Sequence, residues 1–176
     1  ELSPALAEVV VRRALPRFLE VCERCGVRST LFVVGRDVGK DASQEARALF
    51  MQAAAAGHEL GNHSYSHPYD LARWSRHAIE RDVGDCHEAL RALTGRPPRG
   101  FRSPGYELSP NLLDVLDAFG YSYDSSIWPC PPYYAAKLLV LAKMAVMRQR
   151  SASIVGAPQA LLAPTQPYRP RLDRPW

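Results

Sequence analysis

His63 and His67 bracket the tripeptide Ser64-Tyr65-Ser66, directly after the run Gly57-His58-Glu59-Leu60-Gly61-Asn62. Imidazole is the commonest protein ligand for a catalytic metal at neutral pH. Two imidazoles leaving the end of a short strand together could close on one zinc-like divalent ion. A carboxylate from elsewhere would complete a His₂-carboxylate site that keeps a position open. The bland alternative is a solvated or capping pair. Of the other histidines, His58 precedes Glu59 on the same strand and is expected to be a buried hydrogen-bonding residue, while His77 and His87 fall on a long helix and are expected at the surface. Cys22-Glu23-Arg24-Cys25 has the spacing of half a zinc clasp or a redox pair, but no second CxxC follows, and Cys86 and Cys130 are isolated. All four cysteines read as packed or free thiols. Asn62-His63-Ser64 fits a glycosylation sequon, but a glycan there would press on the histidine pair, so it is discounted.

The elements that must position this pair alternate helix and strand. Val11, Leu15, Phe18, Cys22 and Cys25 recur at helical spacing in a segment from Glu8 to Cys25, which Pro16 would break inside and Gly26 would stop. Residues 30–34 are a continuous apolar run, as in a strand buried on both faces. A helix over 41–56 leads to Gly57, and the strand over 59–62 delivers the histidines. A long helix over 71–93 carries Trp74, Ala78, Val83, Cys86, Leu90 and Leu93 along one side and stops at Gly95. A short strand over 100–102, a helix opened by Ser109-Pro110 and ending at Phe119, and a strand over 121–124 complete the pattern. Such a rhythm implies a parallel α/β sheet with helices outside and the histidines at strand C-terminal ends, where these folds place their sites. Periodicity allows an open sheet and a barrel alike.

Composition bounds the function classes. The 176 residues, 47% hydrophobic and 23% charged, suffice for one domain with a real core. The net charge of +4 is uneven: through Trp128 there are 15 Lys/Arg against 17 Asp/Glu, and beyond it seven against Asp173 alone. The basic character therefore belongs to the tail, and the body is not read as a nucleic-acid binder. Eight of the fifteen prolines fall in 129–176. Within that region 135–150 is a helix-like apolar stretch interrupted by Lys137 and Lys143. It reads as a helix inserted in the domain, covering the sheet or a substrate groove. The less favoured alternative is an interfacial membrane helix. No apolar stretch is long enough to span a bilayer, and no secretory leader pattern is visible.

Further segments fall in a specific order. Ser29-Thr30-Leu31-Phe32-Val33-Val34-Gly35 comes first and Ala56-Gly57-His58-Glu59-Leu60-Gly61-Asn62-His63 second. Phe101-Arg102-Ser103-Pro104-Gly105-Tyr106 and Gly120-Tyr121-Ser122-Tyr123-Asp124-Ser125-Ser126-Ile127-Trp128-Pro129 follow. Over about 14–130 this ordered set resembles the polysaccharide deacetylase family, the NodB-homology or carbohydrate esterase 4 group. The resemblance implies an incomplete, distorted (β/α) barrel. It also implies metal-dependent hydrolysis of N-acetyl amides on an acetylated amino-sugar polymer or glycan, with zinc as the default divalent metal.

Carried over residue by residue, it makes His63 and His67 metal ligands and Arg102 the residue that orients a catalytic carboxylate. Gly105 or Tyr106 would turn a backbone N–H toward the oxyanion. Asp124 would support Arg102, and Trp128, with Tyr106, would line the acetyl or sugar pocket. Two departures stand out. The family's strand with adjacent aspartates, which supply the base and the third ligand, has no match before Ser29, and no histidine follows His87 to match its general acid. The chain is therefore expected to be an interior piece, inactive alone, with 1–130 a partial NodB-homology domain and 131–176 an insertion or truncated end of the same domain. The alternatives are a catalytically inactive carbohydrate-binding scaffold and a basic-tailed, membrane-peripheral partner protein.

Overall fold

A computed structural model of the chain describes residues 9–149 and Ala163. The Pro/Arg-rich stretch after 149, and most of the proposed second segment with it, lies outside the described residues.

The N-terminal helix enters through a π-helical turn, Val10–Ala14, and continues as α1, Leu15–Cys25. Pro16 sits in the first turn of α1 rather than breaking an interior, and Gly26 ends it at φ 65°, a left-handed conformation that costs glycine nothing. Next come β1 (Thr30–Val33), α2 (Gln44–Ala55) and β2 (Glu59–Asn62). They are followed by α3 (Arg76–Thr94), β3 (Gly100–Phe101), α4 (Pro110–Ala118), β4 (Tyr123–Asp124) and α5 (Pro131–Val146). Ser43, Ser75 and Ser109 each accept a backbone N–H from the first turn of their helix, which fixes three starts. The long helix consequently begins at Arg76 and not at Leu71: Leu71–Arg73 is a separate 3₁₀ turn, and the Ser75 cap sets the boundary.

The four strands pair in parallel in the order β1-β2-β3-β4, which is also their order along the chain. A doubly wound open sheet reverses direction at a switch point. A sheet that advances one way, with right-handed crossovers, places every connecting helix on the same face and curls as an arc of a barrel. The fold is thus α/β with an unclosed parallel sheet, matching the incomplete (β/α) barrel.

Helix α3 organises the core. Cys86, Leu90 and Leu93 pack with Val33, Val38, Ala53 and Leu60 under β1 and β2. Ile79 and Val83 pack with Leu71, Phe101, Leu112, Val115 and Leu116 on the other side. One helix therefore locks both halves of the sheet, and the C-terminal ends of β2, β3 and β4 are held side by side. Among the described residues no helix is long and apolar enough to cross a membrane.

Candidate active site

The chemistry-bearing residues assemble where β2, β3 and β4 end. Asn62 is the last residue of β2, and the chain then turns sharply, with Ser64 and His67 both left-handed at φ 63° and 59°. Non-glycine residues adopt that conformation only when their surroundings impose it. Here the surroundings are explicit. Asn62, fully buried, accepts the Ser64 N–H at 2.7 Å and donates to the Val83 carbonyl at 3.0 Å and the Tyr121 hydroxyl at 2.6 Å. Ser64 Oγ accepts the His67 N–H at 3.0 Å. Asp82, on α3, accepts the N–H groups of Tyr65 at 2.8 Å and Ser66 at 3.2 Å, together with the Ser66 hydroxyl at 2.5 Å.

This cradle brings His63 and His67 together, with ring centroids 4.9 Å apart. Nδ1 of His63 lies 2.7 Å from the Arg102 carbonyl oxygen. A carbonyl only accepts, so Nδ1 carries the proton and Nε2 keeps its lone pair. Burial pushes the His63 imidazole down to about 4, against the raising effect of that hydrogen bond. Burial also lowers His67, assisted by the Arg36 charge. Two neutral imidazoles, one with its tautomer fixed by a backbone carbonyl, suit a divalent metal. They make half of a site: among the described residues no three His, Cys, Asp or Glu side chains stand grouped to hold an ion. Asp37, in the 3₁₀ turn Gly35–Asp37 after β1, lies close enough to His67 for each charge to act on the other, and burial raises its carboxyl. Its place just past a strand end was the available signal, and the sequence reading passed over it.

Arg102 follows β3. Its Nε donates to the Ser125 carbonyl at 3.0 Å, Nη2 donates to the Ser125 hydroxyl at 2.6 Å, and the guanidinium lies 4.3 Å from the Phe32 ring centroid. The planar fork is thus held by β4's continuation and stacked on β1. Asp124 supports the Arg102 loop through Ser126. Its carboxylate accepts the Ser126 hydroxyl at 2.6 Å and the Ser126 N–H at 2.9 Å, and Ser126 Oγ in turn accepts the Ser103 N–H at 2.8 Å. Asp124 therefore braces the loop after Arg102, while burial raises its carboxyl to about 6 in spite of the Ser126 bonds and the Arg102 charge.

The backbone N–H groups of Gly105 and Tyr106 differ in their engagement. The Tyr106 N–H donates to the Ser103 carbonyl at 3.1 Å, so it is already engaged. Gly105 makes no such bond among the described residues, and a Cβ there would meet the Tyr69 carbonyl oxygen at 2.1 Å. Only glycine lets the two loops approach this closely. The Tyr106 side chain turns instead to Trp128, with centroids 5.7 Å apart, and Tyr69 lies edge-on to His67 at 5.1 Å.

Four remaining expectations resolve simply. His58 is buried and takes the Ser29 N–H at 3.1 Å. His87 is not on the surface: it is 8% exposed, 3.2 Å from the Tyr121 hydroxyl through Nδ1, and packed against Phe119. The helical period misplaced it because α3 is covered on two sides and not one. The four cysteines are free, and the buried Cys86 thiol is pushed up to about 12. Asn62 is occluded, which removes the sequon.

The model of the polysaccharide deacetylase family matches residues 8–123. A peptidoglycan deacetylase of Helicobacter pylori is 30% identical over 123 residues, covering 68% of this chain and 40% of that protein. A chitooligosaccharide deacetylase of Sinorhizobium fredii is 33% identical over 135 residues, 73% of this chain and 60% of its own length. A carbohydrate esterase family 4 pseudoenzyme of Bacillus anthracis superposes with a TM-score of 0.58 at 23% identity, covering 81% of this chain and 48% of that one, a likeness that shows the fold alone. The chain spans about half the length of the relatives it matches. It belongs to the polysaccharide deacetylase family.

Proposed function

We propose that this chain carries the greater part of the reaction centre of a metal-dependent deacetylase acting on N-acetylated amino sugars of a polysaccharide or glycan. The observation that carries this reading is the fixed tautomer of His63, whose Nδ1–H is committed to Arg102 while Nε2 stays free beside His67. His63 and His67 would hold the ion, with zinc as the default for nitrogen ligands beside an open position. When bound, such an ion supplies a Lewis acid for the amide carbonyl and an acidified water. The chain's own residues do the rest. Arg102, clamped by Ser125 and Phe32, presents a fixed positive charge that keeps a neighbouring carboxylate ionised and aligned. The Gly105 N–H is the backbone donor for the developing oxyanion. Trp128, 44% exposed, offers an aromatic face to the sugar.

The base and the third ligand are not among the described residues, so the test supplies them. Acetate release from N-acetylglucosamine oligomers is measured for residues 1–176 alone and for the same chain joined to a strand bearing two adjacent aspartates. The chain alone is expected to be inert, and the joined protein active and chelator-sensitive. A joined protein that stays inert while binding the oligomer supports the inactive carbohydrate-binding scaffold instead.

A further inference from the structure

Helix α5 is anchored to the fold at its first turn. Tyr134 is its one buried residue, and the Tyr133 ring lies 4.9 Å from Trp128 and 5.8 Å from Tyr106. Lys137, Leu141 and Met144 continue that inner side half-buried. The outer side is apolar and bare. Leu139 is 74% and Val146 85% exposed, and Leu138, Val140 and Met147 are each more than half exposed. Leu139 and Val146 stand seven residues apart, two helical turns, and share one face, with Lys143 between them and Val140 and Met147 alongside. The apolar stretch read from the sequence favours a helix that covers the sheet or a groove. In the structure the helix turns most of its apolar surface outward instead. A helix that is apolar on nearly every side normally has a partner that covers it.

The charges identify that partner. No Asp or Glu lies between Asp124 and Asp173. The charged residues from Pro131 to Gln149 are Lys137, Lys143 and Arg148, all positive. Lys137 faces the Tyr133 ring and feels the Glu107 carboxylate, whereas Lys143 and Arg148 are exposed. We infer that the outer side of α5 docks on an anionic lipid surface. Leu139, Val140, Val146 and Met147 face the acyl chains, and Lys143 and Arg148 reach the headgroup phosphates. Lysine suits this place because its stem stays apolar while its ammonium extends to the polar layer. A second copy of the helix would bring only like charges to the contact, whereas anionic headgroups neutralise them. The helix lies on the membrane and does not cross it. Its 16 residues rise about 24 Å, short of a hydrocarbon core of about 30 Å, and Lys143 interrupts the apolar face. Because the first turn of α5 borders Trp128, docking holds the candidate site at the lipid surface.

Flotation of residues 1–176 with vesicles of phosphatidylcholine, alone or with about one quarter phosphatidylglycerol, tests the inference. The chain is expected to float with the anionic vesicles and to bind the neutral ones at least about tenfold more weakly. Leu139→Gln/Val146→Gln should weaken binding to the anionic vesicles by about tenfold or more, through lost apolar burial. Lys143→Gln/Arg148→Gln should remove most of the preference for anionic lipid. All four positions are exposed, so circular dichroism should show the parental helix content in both variants. His63→Ala/His67→Ala should float as the parent does, which separates this inference from the deacetylase reading. A parent that floats with neither vesicle overturns the inference, and so do glutamine variants that float as the parent does. Sedimentation without lipid completes the test. A parental dimer that the Leu139→Gln/Val146→Gln change dissolves assigns the face to a second copy and overturns the lipid surface.

Discussion

His63 Nδ1 donates to the carbonyl oxygen of Arg102 across 2.7 Å, so the residue that carries the site's fixed positive charge also sets the tautomer of the His63 imidazole. The two roles come from adjacent strand ends. The Arg102 N–H donates to the Asn62 carbonyl, and the Asn62 side chain pins the turn that holds His63. Side chain and main chain of Arg102 thus face different partners, and substitution of the side chain should leave the histidine geometry in place.

That separation makes Arg102→Lys informative. Lysine keeps the charge but loses both bonds to Ser125 and the stacking on Phe32. The expected cost is about 1–2 kcal/mol of stability. Metal affinity at the histidines should stay within about threefold of the parent, because the carbonyl that fixes the tautomer is retained. Denaturant unfolding and zinc titration of the same sample check this, and a large loss of metal affinity would contradict it.

Asn62 supports the turn from inside. Asn62→Ala leaves the buried Ser64 N–H without its acceptor and removes the bonds to the Val83 carbonyl and the Tyr121 hydroxyl, and should cost about 3 kcal/mol in urea unfolding. The left-handed conformations of Ser64 and His67 then lose their enforcement, so the histidine signals should broaden in NMR spectra recorded well below the melting temperature. A variant with parental stability and sharp histidine signals would show that Asp82 alone holds the turn.

The order of elements is legible in the sequence, and so is the placing of His63 and His67 together past a strand end, because both follow from strong local signals. Apolar runs bounded by glycine mark β1 and β2, and the Ser109-Pro110 cap marks the start of α4, whereas the helix read from residue 41 begins three residues later, behind the Ser43 cap. What the sequence did not disclose depends on pairs far apart in the chain. Asp82 reaches Tyr65 and Ser66 from α3, Ser125 clamps the Arg102 guanidinium, and Tyr133 joins Trp128 from a helix assigned on sequence to 135–150. Helix α5 starts four residues before the apolar stretch read as helical, because Pro131 and Pro132 occupy its first turn, a position that proline suits. His87 was misjudged for a related reason: its neighbour Tyr121 lies 34 residues away.

Asp124 gives the stability a definite pH signature. Its carboxyl is raised to about 6 from the ordinary 3.8, chiefly by burial. The folded state therefore holds the proton more tightly than the unfolded state. Stability from this group is full below pH about 4 and is lost as pH rises through 6, by on the order of 3 kcal/mol. Asp124→Asn removes the ionisation. The variant should gain on the parent in melting temperature between pH 4 and pH 7, whatever offset the altered Ser126 bonds introduce. A difference that does not change with pH over that interval would contradict the burial of the charge.

His63 and His67 are proposed as a divalent-metal half-site preset by the fold. Calorimetric titration of zinc into residues 1–176, into His63→Ala and into His67→Ala tests it most directly. One bound equivalent is expected for the parent, and for each variant loss of that binding with the fold retained in circular dichroism. Equal stoichiometry and affinity in all three proteins would contradict it.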